Sequence, residues 1–235
     1  MSGSVDFDFA GEVAAVTGAG GALGSAVVEA FHDAGATVAA LDRTDSPADL
    51  PFETGPDVTY HRADLAVEDQ VAAAVDDIVA THGRIDVLAN IAGTWRGGQR
   101  LHETDESTFD LLFDVNLRTA FLTSKHALPY LREADGAICN VASRSSLEGG
   151  PRDGLYRASK AGVRILTESI AAEYLGEVRA NAVMPSVLDT PMNREMMDPR
   201  DEWVDPADVA SVILFVCSDG ASVTSGASIP VYGEA

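Results

Sequence analysis

Short apolar runs along the chain alternate with longer segments in which apolar residues recur every three or four positions. The helical spacing occurs at 22–35, 67–83, about 105–132, about 155–175 and 205–219. The short runs, rich in Val, Ala and Ile, lie at 12–17, 37–42, 57–61, 86–90, 137–143, 177–183 and 227–232. Continuously apolar strands separated by helices predict parallel strands, right-handed crossovers and a sheet covered on both faces. The pattern therefore predicts an α/β protein with a doubly wound parallel sheet of about seven strands.

Length and composition fit one such domain. No Pro-, Gly- or Ser-rich linker interrupts the 235 residues, so we expect a single domain over 1–235. No apolar run approaches the roughly 20 residues of a membrane helix, and the N-terminus lacks a basic, apolar leader. We therefore expect a soluble, cytoplasmic protein with no membrane partner. Cys139 and Cys217 each lie in an apolar run and are expected to be buried, reduced thiols.

The charge of the chain is strongly one-sided, because 37 Asp and Glu stand against 16 Lys and Arg, a formal net charge of −21. Such an excess repels phosphate backbones, so we expect no nucleic-acid partner. Only two lysines, Lys125 and Lys160, occur beside 14 Arg, 23 Asp and 14 Glu. This composition suggests a halophilic protein, because concentrated salt screens the self-repulsion of an acidic surface. An acidic mesophilic enzyme is the alternative.

A glycine-rich turn follows the first predicted strand and opens the first predicted helix. It reads Gly18-Ala19-Gly20-Gly21-Ala22-Leu23-Gly24, and in this setting glycines let the backbone approach a pyrophosphate at the helix N-terminus. Asp42 ends the next strand, 18 residues after Gly24, where a carboxylate accepts hydrogen bonds from ribose hydroxyls and repels a 2′-phosphate. The sequence thus predicts NAD(H) as the cofactor. Arg43 is the complication, because an arginine there can also bind the 2′-phosphate of NADP(H), which we consider the less favoured cofactor.

Tyr156 and Lys160 stand four residues apart on a predicted helix, so their side chains share one face. A phenol with a pKa near 10 is a poor acid at neutral pH, and an adjacent ammonium favours the phenolate. The pair alone also fits an ordinary surface contact.

Together with other motifs in order, the pair is similar to the short-chain dehydrogenase/reductase family over essentially the whole chain. The motifs are TGAGGALG at 17–24, Asp64-Leu65, NIAG at 90–93, Asn116, Ser143, YRASK at 156–160 and MPSVLDTPM at 184–192. The resemblance implies a Rossmann fold and hydride transfer between a nicotinamide and a carbonyl/alcohol pair. By the same resemblance, Tyr156 is expected to be the general acid/base and Ser143 to hydrogen-bond the substrate carbonyl.

The resemblance also implies roles for the remaining motif positions. Lys160 is expected to bind the nicotinamide ribose and lower the pKa of Tyr156, and Asn116 to hold a water in a proton relay to Lys160. Asp64 would contact adenine, Asn90 would line the cofactor cleft, and Thr190 with the backbone near Leu188 would orient the carboxamide. The other positions expected to contact the cofactor are Gly18, Gly21, Ala22, Leu23, Gly24, Asp42, Arg43, Leu65, Ala92, Gly93 and Pro185.

The substrate is the least constrained part of the interpretation. The strings at 94–98 and 188–194 are similar to segments of quinonoid dihydropteridine reductases, in which case Trp95 would stack on a flat bicyclic ring and Arg194 would contact polar substituents. Those reductases generally lack the serine, however, so Ser143 favours an ordinary carbonyl or alcohol. The alternatives are a carbonyl reductase, alcohol dehydrogenase or 3-oxoacyl reductase, a dihydropteridine reductase-like enzyme, and a non-catalytic NAD-sensing protein.

No metal site is expected, because the five histidines are scattered without ligand spacing. The resemblance implies a homo-oligomer, a dimer or a tetramer, with the predicted helices at 105–132 and 155–175 and the last strand as contacts. Apolar residues such as Phe109, Phe113, Leu117 and Phe121 recur at helical spacing, a pattern that serves a core as readily as an interface.

Overall fold

The computed structural model describes residues 6–233, which form a seven-stranded parallel sheet flanked by helices on both faces. The strands are β1 Val13–Thr17, β2 Thr37–Asp42, β3 Val58–Arg62, β4 Val87–Asn90, β5 Ala137–Val141, β6 Arg179–Pro185 and β7 Ser228–Val231. The helices are α1 Ala22–Asp33, α2 Glu68–His82, α3 Glu106–Phe113, α4 Thr119–Glu133, α5 Gly154–Glu173, α6 Pro191–Met196 and α7 Pro206–Cys217. The predicted doubly wound fold is confirmed. Residues 1–5 and 234–235 of the predicted domain lie outside the described residues.

The strand order is β3-β2-β1-β4-β5-β6-β7, so the chain reverses its direction of travel across the sheet between β1 and β4. In open parallel sheets a ligand crevice forms outside the carboxyl ends of the strands at such a reversal. The register places Thr17 of β1 level with Asn90 of β4, and Asn90 level with Asn140 of β5. The polar ends of these three strands therefore meet at one edge.

Alternating residues of the strands build two apolar layers. Ala14 and Val16 of β1 pack with α1 and α7, whereas Val13 and Ala15 pack with α2, α4 and α5. β1 is therefore apolar on both faces, which is the reason for the continuous apolar run seen in the sequence. Gly83 ends α2 in the left-handed conformation (φ +82°), which an L side chain rarely adopts.

One predicted element differs from the structure. The helix expected over about 105–132 is interrupted, because α3 ends at Phe113 and a π-helical turn, Asp114–Arg118, precedes α4. Hydrophobic spacing does not register the extra residue of a π turn, since the apolar positions on either side keep intervals of three or four. The wider turn decides where Asn116 points.

None of the helices among residues 6–233 combines the length and apolarity that crossing a bilayer requires.

Candidate active site

The glycine-rich turn joins β1 to α1 and packs against the chain that follows β4. A Cβ on Gly18 would lie 2.8 Å from the backbone nitrogen of Ala92, and a Cβ on Gly24 would lie 2.0 Å from the Gly18 carbonyl oxygen. Gly21 begins α1 without a side-chain cap, so the first helical N–H groups, at Ala22 and Leu23, are not bonded by a capping side chain. This bare cradle at a helix N-terminus fits a pyrophosphate.

Asp42 is fixed beside the same turn by several donors. Its Oδ2 accepts a hydrogen bond from the Gly20 backbone N–H at 2.9 Å. Its Oδ1 accepts from the backbone N–H groups of Arg43 (2.7 Å) and Thr44 (3.1 Å) and from the Thr44 hydroxyl (3.0 Å). The carboxylate therefore keeps one orientation at the carboxyl end of β2, where an adenosine ribose would lie. The Arg43 side chain is exposed next to it.

The Asp64-Leu65 motif follows β3. Asp64 is exposed, and its Oδ1 accepts a hydrogen bond from the Ala66 backbone N–H at 3.0 Å. Leu65 is buried in the layer beneath α2. The expected contact between Asp64 and adenine stays a prediction.

Asn90 ends β4 inside a buried group of polar side chains, which we call the Asn90 cluster. Its amide Nδ2 donates to Asn140 Oδ1 (2.8 Å) and to Ser124 Oγ (3.1 Å), and its Oδ1 accepts from the Thr123 hydroxyl (2.6 Å). Asn140 Nδ2 in turn donates to Thr167 Oγ1 at 2.8 Å. The Asn90 side chain thus ties β4 to β5 and α4, which leaves its backbone as the part that can line the crevice.

Tyr156 and Lys160 lie one turn apart near the start of α5, as their spacing predicts. Lys160 is only 4% exposed, and its Nζ donates to the Val141 carbonyl oxygen at 2.7 Å. Burial lowers the pKa of Lys160 from 10.5 to about 8. Ser143 is buried two residues after Val141, and its hydroxyl accepts from the Ser145 backbone N–H at 3.2 Å. The end of β5 therefore positions both Ser143 and the lysine.

The pKa of Tyr156 departs from the sequence expectation. Burial raises it above the ordinary value of 10, while the hydrogen bond with the Ser143 hydroxyl opposes that rise. Asp153 raises the pKa further and Arg157 lowers it. In the protein alone Tyr156 is therefore held in its neutral, proton-bearing form.

Asn116 enters the site from the π-helical turn. It is 1% exposed, its Oδ1 accepts from the Thr94 backbone N–H at 2.7 Å, and its Nδ2 donates to the Thr94 carbonyl (3.0 Å) and to Ser159 Oγ (2.9 Å). A Cβ on Gly93 would lie 3.0 Å from Lys160 Nζ and 3.2 Å from Asn116 Oδ1. Gly93 thus leaves open the space where the lysine and the asparagine face each other.

The chain after β6 carries the residues that the sequence predicts to contact the carboxamide. Pro185 ends the strand, and the Thr190 hydroxyl caps α6 by accepting from the Asn193 backbone N–H at 3.2 Å. Leu188 pairs with Val204, and its carbonyl accepts from Asn193 Nδ2 at 2.8 Å. These residues remain candidates for contacting the carboxamide.

The two residues proposed from the dihydropteridine resemblance lie in different surroundings. Arg194 is paired with Asp189 through Nη2 and Oδ2 at 2.6 Å, so its charge is already matched. Trp95 is 49% exposed on the loop after β4. Substrate contact by either residue stays a prediction.

Several supporting residues escape sequence reasoning. The Thr17 hydroxyl accepts from the backbone N–H groups of Ile91 (2.9 Å) and Ala92 (3.2 Å) and so joins β1 to the loop after β4. Thr44 holds Asp42, and Ser159 holds Asn116. Thr17 at a strand end and Thr44, two residues after Asp42, offer a local signal, whereas the contact of Ser159 with Asn116 joins residues 43 positions apart. Within residues 6–233, no three His, Cys, Asp or Glu side chains gather as a metal site would require.

Comparison with known proteins gives consistent matches over nearly the whole chain. A family model described as enoyl-(acyl carrier protein) reductase matches residues 18–233. The chain is 33% identical to a 3-oxoacyl-(acyl-carrier-protein) reductase of Thermotoga maritima, covering 95% of this chain and 97% of the relative. It is 34% identical to a cis-4-hydroxycyclohexanecarboxylate dehydrogenase of Sinomonas cyclohexanicum, covering 96% of each. A crystal structure of a 3-ketoacyl-(acyl-carrier-protein) reductase from Brucella melitensis complexed with NADH superposes with a TM-score of 0.87 at 28% identity, covering 96% of this chain and 98% of that one.

Proposed function

Because the chain belongs to the short-chain dehydrogenase/reductase family, and the relatives named above are oxidoreductases of alcohols or carbonyls, we propose that it transfers a hydride between NAD(H) and a carbonyl/alcohol substrate. The observation that carries this proposal is the buried Lys160 one helical turn from Tyr156, with Ser143 and Asn116 brought beside them from two other elements. Such a convergence of a proton donor, a hydrogen-bonding hydroxyl and a buried cation suits acid/base chemistry.

The chain's own residues handle the proton. When bound, the nicotinamide supplies or accepts the hydride. In the reductive direction, the Tyr156 hydroxyl gives its proton to the carbonyl oxygen of the substrate, and the Ser143 hydroxyl donates a hydrogen bond to that oxygen. Lys160 stabilises the phenolate that remains, and Asn116 holds the water through which the proton is replaced. The pKa of Tyr156, which burial raises above its ordinary value, keeps the proton on the phenol at neutral pH, so that it is present for transfer.

Substitution of Tyr156 tests this mechanism. Tyr156→Phe should lower kcat for carbonyl reduction at least about 100-fold, since the proton donor is lost, while the Kd for NADH stays within about twofold. NADH absorbance gives the rate and NADH fluorescence gives the binding. Tyr130→Phe, a partly buried tyrosine elsewhere in the chain, is the matched control and should leave both quantities unchanged. Turnover by Tyr156→Phe close to that of the unsubstituted protein would mean that another group supplies the proton.

A panel of substrates distinguishes the carbonyl or alcohol oxidoreductase from the dihydropteridine reductase-like enzyme and the NAD-sensing protein. Small ketones, diketones and 3-oxoacyl thioesters are assayed beside quinonoid dihydropterin. Turnover of the pterin alone would favour the dihydropteridine reductase alternative, with Trp95 as the stacking residue. NADH binding with no turnover of any compound would favour a sensor.

We propose NAD(H) over NADP(H) because Asp42 is held rigidly by four hydrogen-bond donors where a 2′-phosphate would lie. The ratio of kcat/KM for NADH to that for NADPH should exceed about 100, and Asp42→Asn should reduce the ratio at least about tenfold by removing the negative charge. Asp45→Asn removes an exposed carboxylate paired with Arg62 and serves as the control. A ratio that Asp42→Asn leaves unchanged would refute the role of Asp42.

The assembly is also a proposal. Apolar side chains about half exposed on α3, α4 and α5, at Phe109, Phe121 and Ile165, support a homodimer or homotetramer. Light scattering coupled to gel filtration gives the mass, and a monomer at micromolar concentration in molar KCl would contradict the proposal. The cytoplasmic location stays a prediction.

A further inference from the structure

A cleft of about 530 Å³ lies between the loop that follows β4 and the loop that precedes α5. Residues of 96–104 and Thr108 form one wall, and 150–155 form the other. Gly154 and Leu155 belong to this lining and directly precede Tyr156, so the cleft reaches the helical turn that carries the phenol. Its volume has room for a substrate group remote from the reacting carbonyl.

Three arginines line this cleft, Arg96, Arg100 and Arg152, and none of their guanidinium groups forms a salt bridge within residues 6–233. The Glu103 carboxylate lies nearby and accepts from the Arg100 backbone N–H at 3.2 Å. Several arginines elsewhere form salt bridges with carboxylates, for example Arg84 with Asp86 and Arg132 with Glu177. The acidic residue of the lining is Asp153, whose Oδ1 already accepts from Arg157 Nε at 2.7 Å. In a chain with a net charge of −21, the cleft therefore holds a local excess of positive charge.

The backbone at Arg152 indicates that the position of the two loops is fixed by specific contacts. Arg152 has a φ of +69°, in the left-handed region that a β-carbon disfavours. The conformation is held by two hydrogen bonds to the facing loop, in which Gly98 N–H donates to the Arg152 carbonyl (2.8 Å) and Arg152 Nη1 donates to the Gly98 carbonyl (3.2 Å). Strained residues held in place by their surroundings are found mainly at ligand-binding sites. Here the two hydrogen bonds between Gly98 and Arg152 hold the arginine-bearing loops together.

We propose that the cleft binds an oxyanion of the substrate, so that the enzyme acts on a carbonyl or alcohol that also carries a carboxylate or phosphate group. Guanidinium groups suit such ligands because their planar N–H donors match two oxygens at once. The long-range field of an acidic protein repels anions, and it is screened within a few ångströms in molar salt. Recognition then depends on the contacts within the cleft. This inference rests on the proposed function, since it names the substrate class of the same site.

The test compares charged and uncharged partners of the same carbonyl. The pairs are 3-oxobutanoate with its methyl ester, and dihydroxyacetone phosphate with dihydroxyacetone, so the two arms distinguish a carboxylate from a phosphate. We expect the KM of the charged member of at least one pair to be at least about tenfold lower. We test two cleft variants, the double variant Arg96→Gln/Arg100→Gln and the single variant Arg152→Gln. Each should raise the KM of the charged substrate at least about tenfold. Each should change kcat, and the KM of the neutral partner, less than about twofold. Arg132→Gln removes the same charge from a distant surface site and should change neither KM.

A binding measurement separates this proposal from the proposed function. Calorimetric titration of the two anions into Tyr156→Phe with NADH present needs no turnover, and the cleft variants in that background should weaken binding at least about tenfold. Equal KM values within both pairs, or anion affinities that the cleft variants do not change, would overturn the proposed oxyanion site. Neither result would count against hydride transfer. Arginine-dependent binding to a protein that turns over none of the four compounds would support the site and count against the proposed reaction.

Discussion

Replacing Lys160 should stabilise the protein at neutral pH while it abolishes activity. The lysine is buried, and folding lowers its pKa from 10.5 to about 8 because the ammonium loses its hydration. Between those pH values the unfolded chain binds more protons than the folded one, so stability rises with pH across that window. At 1.36 kcal/mol for each pKa unit, the ammonium destabilises the folded state by about 3 kcal/mol below pH 8 and by nothing above pH 10.5.

Lys160→Met removes that destabilisation and keeps the volume of the side chain. It also leaves the Val141 carbonyl without its donor, at a cost of about 1–2 kcal/mol. The two effects predict a variant about 1–2 kcal/mol more stable than the unsubstituted protein at pH 7 and less stable by a similar amount near pH 10.5. The difference between the two proteins should therefore change sign as the pH rises.

Urea unfolding of the cofactor-free proteins at several pH values between 7 and 10.5, in molar KCl, measures this difference. Titrations of all other groups are common to both proteins and cancel. Lys125→Met is the matched control, because the chain's other lysine lies about half exposed against Glu68, so its removal relieves no burial. A difference between Lys160→Met and the unsubstituted protein that is constant over this pH range would refute the argument that burial of the ammonium is the cause.

Three further perturbations test packing and charge. Gly24→Ala should destabilise the protein by about 3 kcal/mol or more in urea unfolding and weaken NADH binding, because its Cβ would lie 2.0 Å from the Gly18 carbonyl oxygen. Gly55→Ala is the control: its Cβ meets nothing within 4 Å, so the free energy of unfolding should change by less than about 1 kcal/mol. Asn90→Ala should lower the free energy of unfolding by about 2–3 kcal/mol, since partners in the Asn90 cluster lose their hydrogen bonds, and a loss below about 0.5 kcal/mol would mean that the cluster rearranges at little cost. Tm should rise strongly between dilute and molar KCl if the net charge of −21 is a halophilic adaptation, and a flat calorimetric response would end that hypothesis.

Much of the fold and part of the site follow from the sequence alone, because their signals are local. Continuous apolar runs separated by helical periods fix strands that are covered on both faces. A glycine turn between a strand and a helix marks the end of β1, and a four-residue interval places Tyr156 and Lys160 on one helical face. Asp42 is located by its position at the end of β2. In each case a few neighbouring residues and the geometry of one element contain the information.

Tertiary structure decided what these side chains meet. Asn116 reaches Thr94 and Ser159 only because a π-helical turn interrupts the predicted helix, and hydrophobic spacing does not report that turn. The ammonium of Lys160 donates to the Val141 carbonyl on β5, and burial is the main cause of the raised pKa of Tyr156.

The same holds for the charges of the candidate substrate-binding arginines. Arg194 is neutralised by Asp189, whereas Arg96 and Arg100 line one cleft with Arg152, from a loop some 50 residues further along the chain, and none of the three guanidinium groups forms a salt bridge within residues 6–233. Local sequence patterns fix the conformation of an element and the faces that it presents. The hydration, charge and partners of a side chain depend on elements distant in sequence, and only the packing of the sheet with its helices brings those elements into contact.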